Sequence, residues 1–554
     1  MSKEELIVNL GLVDADYLKL SKYSDLSDKK ERFLYRFLEI LPGTLAWTTL
    51  ILIITLSFVA PVLIAIFIII FDVYWLIKTI YLSLHLRQSF KKMRQNLAVD
   101  WLDKLSQLPT KDYQLSTIKS WQDLYHLIIL PHYKEGQEIV RATLEGLLRS
   151  AYPKNKMMVV LGQEERAGEE FNKFKNDLEK EYGRQFFKFL VTEHPANLPG
   201  ELAGKGSNSA FAAEQAKRQI IDPLGIPYDH IIVSNFDIDT VVPAQFFSCL
   251  SWHFLTTAHP LRSSFQPVPL FINNIWEAPS FARVFAFSTT FWQMIQQARP
   301  EQLVTFSSQS ISFQSLVEVG FWQRNMVSED SRIFWQCLLH YDGDWRTVPL
   351  HYPVYMDANV APTFWQTMKN QYRQIRRWHF GAENNPYFMF GFLKNKKIPR
   401  LLKWYFTWTM GEKTHSSATN ALIIFLLGWL PLLLGGSAFN QTVLSLNLPY
   451  LTRNIMLLAM FGLVSSAIIS ITFLPPRPPI YGRFKWVWMI LQWLLFPINF
   501  IFFGAIPALD AQTRLMFGKY LGFWATPKTR IDKNIKIGYS PVNQDIKNTE
   551  RRLI

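Results

Sequence analysis

Residues 125–162 read "YHLIILPHYKEGQEIVRATLEGLLRSAYPKNKMMVVLG", and the fold turns on how the apolar period changes along them. "YHLIILPHY" is a short apolar run closed by a turn, as expected of a buried strand. "EGQEIVRATLEGLLRSA" spaces its apolar residues at i, i+4 and predicts an amphipathic helix. "KMMVVLG" predicts a second strand. The alternation continues with "EEFNKFKNDLEKEYG" as helix, "FFKFLVT" as strand, "KGSNSAFAAEQAKRQ" as helix and "HIIVSNFDID" as strand. Strands alternating with helices predict an α/β domain, a mostly parallel sheet with helices on both faces. Ligands of such sheets bind outside the carboxyl ends of the strands. Asp237 and Asp239 stand at one of those ends.

With 554 residues, 49% of them hydrophobic, the chain is long enough for more than one domain. Two regions are nearly free of charge over lengths that exceed the roughly 20 apolar residues of one bilayer crossing. We therefore expect a multi-pass integral membrane protein of the plasma (inner) membrane. Its segments are a polar N-terminal stretch (1–41), a hairpin of two transmembrane helices broken at Ala60-Pro61 (42–86), and a cytoplasmic α/β domain (87–395). An interfacial amphipathic helix (396–415), about three further spans (416–507, near 418–435, 455–474 and 486–505) and a basic tail (508–554) complete the chain. Asp72 falls inside the hairpin, where an acid either serves a function or snorkels towards a helix end.

The formal charge of +14 gathers beside the apolar spans, in "RQSFKKMRQN", "LKNKKIPRLLK", "PPRPPIYGRFK" and the tail. The positive-inside rule accounts for such clusters, and no nucleic-acid partner is expected. The tail's Arg514, Lys519, Lys528, Arg530, Lys533, Lys536, Lys547, Arg551 and Arg552 argue for a cytoplasmic end, whereas three crossings after a cytoplasmic domain argue for the opposite side. Two distant cysteines, Cys249 and Cys337, suit a reducing compartment. The polar, acidic opening "MSKEEL" is not expected to be a cleavable signal peptide.

An Asp-x-Asp triplet proves little alone, since Asp14/Asp16 and Asp342/Asp344 form two more. The 237/239 pair differs in its company. "SED" supplies Glu329 and Asp330, and "QIRRW" supplies Gln374, Arg377 and Trp378. Two carboxylates at a strand end suit a hard divalent cation, Mg²⁺ or Mn²⁺, which commonly keeps phosphate oxygens in its remaining positions. A further acid can take the proton of an attacking hydroxyl. Amide, guanidinium and indole suit a nucleotide or a sugar. "QIRRW" in isolation equally describes a cationic helix face.

Taken in order, these words resemble the family 2 glycosyltransferases, of the membrane-embedded kind that includes cellulose, chitin and hyaluronan synthases. "ILPHYKEG" resembles that family's opening strand and P-x-Y-N-E turn, "LEGLLRSAYP" the following helix and "GKGSN" its Gly-Lys segment. "FDID" resembles D-x-D, "SED" resembles T-E-D, and "QIRRW" resembles Q-x-x-R-W. "LVEVGFW" and "YDGDWRTVP" fall where the family has similar words.

The resemblance implies a GT-A-like domain between transmembrane helices and an inverting, hexosyl-type transfer from a nucleotide-sugar, a UDP-sugar being expected, to a growing polysaccharide. It implies metal and phosphate contacts at Asp237 and Asp239, a general base at Asp330 with Glu329 beside it, and donor contacts at Gln374, Arg377 and Trp378. Lys205 either reaches the diphosphate or is solvated. The family's Asn is Lys134 here, and its Asp-Asp-Gly-Ser strand end is "LGQEERAG", which leaves Glu164 or Glu165 as the nearest acid to hold the base, Glu164 being the one expected, with Glu135 as a further nucleotide contact. "FSSQSISF" replaces a Gly-x-Asn acceptor element.

Two other readings stay open: transfer of a single sugar to a lipid such as ceramide, diacylglycerol or polyprenyl phosphate, and a membrane scaffold or transporter without catalysis. The aromatic run "NIWEAPSFARVFAFSTTFWQ" suits either a sugar-stacking wall or plain core.

Overall fold

The computed structural model describes residues 16–168, 172–482 and 484–527. Asp14, Arg483 and the basic tail residues from Lys528 to Arg552, on which expectations above rest, lie outside the described residues.

The chain opens on two long helices, α1 (Lys29–Val59) and α2 (Pro61–Leu97). Asp28 caps α1 by accepting the Glu31 N–H, so the helix starts well before residue 42 and carries Pro42 in its interior. Ala60 breaks the pair at φ −139°, ψ 60°. The cause is Pro61, whose ring disfavours helical geometry in the residue before it.

The α/β domain follows as β1 (Tyr125–His132), α3 (Gln137–Leu148), β2 (Met157–Glu164), α4 (Asn172–Tyr182), β3 (Lys188–His194), α5 (Lys205–Ala216) and β4 (Ile231–Asn235). Then come α6 (Phe246–Thr256), β5 (Ser263–Phe271), α7 (Ser280–Gln297), β6 (Ser310–Ser312), α8 (Glu329–His340), β7 (Arg346–Met356) and α9 (Phe364–His379). The seven strands form one sheet in the order β3-β2-β1-β4-β6-β5-β7. The β1–β2, β2–β3, β1–β4 and β5–β7 pairs are parallel, and β6 runs antiparallel to both β4 and β5. The sheet is therefore mixed and mostly parallel.

Its continuous apolar strands follow from burial on both faces. Ile128 and Leu130 of β1 enter the core packed by α3, α6 and α7, while Leu127 and Ile129 enter the core packed by α5 and α8. A one-residue slip would exchange the two sets, so the alternation pins the register.

After the domain come α10 (Arg400–Phe425), α11 (Val443–Thr472) and α12 (Lys485–Met516). Helices α1, α2, α11 and α12 are each long and apolar enough to cross a membrane. A fifth candidate joins α10 to Leu427–Leu434 across a 48° bend. The segment expected as an interfacial helix, 396–415, is not separate: α10 runs through 415 without interruption and breaks at Leu426. Pro431 lacks the N–H that would bond the Leu427 carbonyl, which places the break there. In α12 the ladder passes through a 3-10 turn at Gln492–Leu495 and a π turn at Ile501–Ala505, on either side of Pro497.

Candidate functional site

The parallel strands β1, β2 and β4 end side by side, and each delivers an acid to the same edge. After β4, Asp237 accepts a hydrogen bond from the Ser307 hydroxyl at 2.8 Å and pairs with the Lys205 ammonium at 2.7 Å. Lys205 is the first residue of α5 and is 8% exposed. The same ammonium donates to both oxygens of Asp330, at 3.0 and 2.8 Å. Acids far apart in sequence thus meet on one cation.

Gly206 permits this approach. A Cβ there would lie 2.9 Å from the Gln323 carbonyl oxygen and 3.0 Å from the Glu329 Cβ, so α5 and α8 touch only because this residue has no side chain.

Glu329 and Asp330 open α8. Ser328 does not cap its own helix. Its hydroxyl donates to Glu383 at 2.6 Å, and Glu383 also accepts the Ser328 N–H at 3.2 Å, so Glu383 fixes the start of α8. Burial, then the Asp330 charge, push the Glu329 carboxyl up to about 8 against the pull of Lys205 and Arg377. Burial also raises Asp330 above the ordinary carboxylate range although Lys205 opposes it. Burial pulls Lys205 down, but Asp237, Asp330 and Glu329 outweigh it and hold the ammonium above its ordinary value. A carboxylate raised towards neutrality inside an enclosed pocket is suited to accepting a proton near pH 7.

A stability consequence follows for Glu329. An unfolded Glu loses its proton near 4.3, so between that pH and about 8 the folded chain holds a proton that the unfolded chain lacks. Stability therefore falls as pH rises through this window. Glu329→Gln, neutral throughout, is expected to remove the slope. Between pH ~5 and pH ~9 it should gain on the order of 2–4 kcal/mol relative to the unaltered chain. Parallel slopes in thermal or denaturant melts of the two proteins across that range would refute the assignment.

The other expected residues lie differently. Asp239 has no exposed surface, and its Oδ2 accepts the Asp357 N–H at 2.9 Å. Asn273 links the two acids by donating to the Asp239 carbonyl and to Asp357 Oδ1. Glu135 accepts the N–H groups of Tyr133 and Lys134 and shapes the turn after β1. Glu164, at the end of β2, is buried and paired with Arg166, whose guanidinium sits 4.5 Å from the Tyr133 ring centroid. On α9, Gln374 is 9% exposed and faces Asn359. Trp378 packs against Phe271, Phe285 and Phe306 at 5.8–6.2 Å between centroids. Most of the aromatic run is core, with Trp276, Phe281, Phe287 and Phe291 buried and Phe285 alone of its rings paired with Trp378. The Asp342/Asp344 triplet is a turn, with Asp342 at φ 55° and bonded to Asn395 and Lys397.

Sequence reasoning missed the segment after α12. It returns to the site, where Phe523 lies under the Arg377 guanidinium at 4.8 Å and Trp524 under that of Arg373 at 5.6 Å. Tyr520 anchors it by donating to Glu39 of α1 at 2.8 Å. A Cβ on Gly204 would lie 2.4 Å from the Phe523 ring and 2.7 Å from its Cβ. Gly204→Ala is therefore expected to push Phe523 off Arg377, at an overpacking cost of about 1–3 kcal/mol. Hydrogen exchange should show lower protection over 517–527 and none elsewhere. Equal protection in both proteins would show that the contact does not hold the segment.

Among the described residues no three His, Cys, Asp or Glu side chains group as a metal site. The donor chemistry still fits one arrangement of Mg²⁺ or Mn²⁺. Asp237 presents a hard oxygen at the mouth, with its side chain 29% exposed, and such ions are often held by one or two carboxylates plus substrate phosphate and water. Asp239 fits a direct ligand role poorly as it stands, because its carboxylate is enclosed.

No family model matches this chain, and no curated protein matches it. Among solved structures, the chain is similar to the mannosyltransferase PcManGT from Pyrobaculum calidifontis in complex with GDP-Man and Mn²⁺. Identity is 13% over 70% of this chain and 99% of that one, with a TM-score of 0.36. S. aureus TarS 1–349 in complex with UDP-GlcNAc shares 10% identity over 65% and 95% of the two chains, at 0.29. GalNAc-T7 with UDP, GalNAc and Mn²⁺ shares 12% over 52% and 57%, at 0.32. Scores this low relate parts of two chains and leave this fold to be argued from its own topology.

Proposed function

We propose that this chain is a membrane-bound, inverting glycosyltransferase of the family 2 kind, moving a sugar from a nucleotide-sugar to a hydroxyl of a growing glycan on the cytoplasmic face. The observation that carries this reading is the meeting of Asp237, Glu329 and Asp330 around Lys205 at the carboxyl end of a mostly parallel sheet. Acids gathered at that edge, two of them raised by burial, suit a base beside a diphosphate site.

In this reading Asp330 takes the proton of the acceptor hydroxyl. The acceptor oxygen bonds to the anomeric carbon as the bond from that carbon to the diphosphate oxygen breaks, and the diphosphate leaves with the electron pair. Attack opposite the leaving group inverts the centre. Lys205 and Arg377 face the developing negative charge, and Gln374 and Trp378 border the acceptor side. Asp237 would hold Mg²⁺ or Mn²⁺, which when bound would neutralise the leaving diphosphate.

The test is nucleotide release from a panel of UDP- and GDP-sugars by the full chain in detergent with Mg²⁺ or Mn²⁺, beside Asp330→Asn. Release from one donor, lost in the variant, is the expected result. Nucleotide binding without release from any donor, native lipids present, would favour the scaffold reading.

A further inference from the structure

A cleft of about 620 Å³ lies outside the acidic centre, where the N-terminal ends of α7 and α9 meet the broken helix α12. Phe281, Phe364, Ile498 and Phe503 form its apolar wall, and Ser280 and Lys485 lie on its polar side. The wall is locked rather than incidental. Phe281 stacks on Phe503 at 5.1 Å and meets Phe364 edge-on at 5.2 Å, and Asn499 donates to the Phe281 carbonyl at 3.0 Å. Arg283, two residues further along α7, donates to Gln492 of α12 at 2.7 Å.

The same two domain helices continue towards the acidic centre. On α9 the residues 364, 367, 371, 374 and 378 fall three or four apart, on one face. The first two line the cleft, and the last three line a second hollow with Phe285 of α7. That second hollow holds about 10 Å³, room for about one water. Asn359 lines it, is 7% exposed, and its Oδ1 makes no hydrogen bond. At 1.5 Å per helical residue, Thr367 and Trp378 are ~16 Å apart along α9.

We infer that this cleft binds the apolar anchor of a lipid-linked acceptor, whose sugar headgroup extends between α7 and α9 to the Trp378 end. The inference rests on the transferase reading for the headgroup's destination and on the cleft alone for the anchor. An unanchored glycan would leave Phe281, Phe364, Ile498 and Phe503 facing polar surface. A plain acyl chain would leave the Asn359 oxygen without a partner, whereas Ser280 already accepts from Arg283 and Lys485 already lies over the Tyr481 ring. An amphiphile satisfies both the apolar wall and that oxygen, and one wall of the cleft belongs to a helix long and apolar enough to sit in a bilayer. The cleft stands open for the anchor, whereas the hollow at Trp378 must widen to admit a sugar ring.

The probe is an alkyl glucoside carrying a diazirine in mid-chain, photolysed with the detergent-solubilised full chain and mapped by mass spectrometry. Labelling is expected to concentrate on peptides spanning 360–368 and 495–503. It should be displaced by unmodified alkyl glucoside but not by a water-soluble glucose oligosaccharide. Ile498→Trp, which fills the cleft, and Phe364→Ser, which opens its wall, should each lower that labelling ~10-fold, a loss of about 1.4 kcal/mol. Nucleotide binding, read as a thermal shift with UDP and GDP, should persist in both and shows that they fold. Labelling spread evenly over the exposed apolar faces of α1, α2 and α11, or unaltered in both variants, overturns the inference. Equal transfer to soluble oligosaccharide and alkyl glucoside by the unaltered chain also overturns it. Specific labelling without transfer from any donor would sink the transferase reading and leave the amphiphile site standing.

Discussion

Asp330→Asn is expected to lower the rate of sugar transfer ~10²–10⁴-fold, the range lost with a general base, while donor binding persists. Asparagine keeps the shape and can still accept a hydrogen bond from Lys205, so the pocket stays assembled. What disappears is an acceptor for the hydroxyl proton. The readout that separates chemistry from scaffolding is the pH profile. With Asp330 raised by burial, transfer by the unaltered chain should climb as pH rises through that raised value, and residual activity of the variant should lose that limb. A variant with full activity and a lower melting temperature would make Asp330 structural.

Lys205→Met is expected to be damaging in two ways. Lys205 is the cation between Asp237 and Asp330. Its removal leaves the buried Glu329 and the part-exposed Asp237 and Asp330 facing one another without a cation. Breaking a fully buried pair from one side costs about 3–5 kcal/mol, and solvent at the mouth lowers that figure here. Part of that loss should be recovered at neutral pH by protonation of the Glu329–Asp330 pair, so the variant should be least stable at high pH. Adding Glu329→Gln should rescue stability without restoring transfer. The contact also implies an order of events. While Lys205 holds both Asp330 oxygens the base is engaged, and an incoming diphosphate competes for the same ammonium. Donor binding should therefore precede acceptor activation, which initial-rate kinetics with a dead-end nucleotide inhibitor will show. Random-order kinetics together with a stable, active Lys205→Met protein would remove Lys205 from both roles.

Much of the architecture was legible in the chain. The change of period between 125 and 162 announces strand, helix and strand, because a strand buried on both faces must be apolar throughout while a helix shows one face. Charge-free runs longer than a bilayer crossing announce the long helices. A cationic stretch followed by an apolar one suggests an interfacial helix and a separate span, but backbone hydrogen bonding does not follow composition: α10 runs on to Phe425 and breaks at Leu426, one turn before Pro431. Of the acids, Asp237, Glu329 and Asp330 were nominated by sequence words. That Asp239 turns inward to the Asp357 N–H was not readable, because the two residues of a strand-end triplet diverge only once β7 is in place.

What the sequence by itself determined is local: element type, the apolar spans, and which carboxylates stand at a strand end, all set by period, proline and charge within a few residues. What only the tertiary structure decided is convergence. Lys205 bridging Asp237 and Asp330, Glu383 fixing the turn at Ser328, Phe523 returning under Arg377, and a cleft shared by α7, α9 and α12 each join segments that no local pattern relates. The physical reason is that side chains distant along the chain are brought together by the packing of whole elements, through close approaches such as those at Gly204 and Gly206, and such approaches leave no period in the sequence.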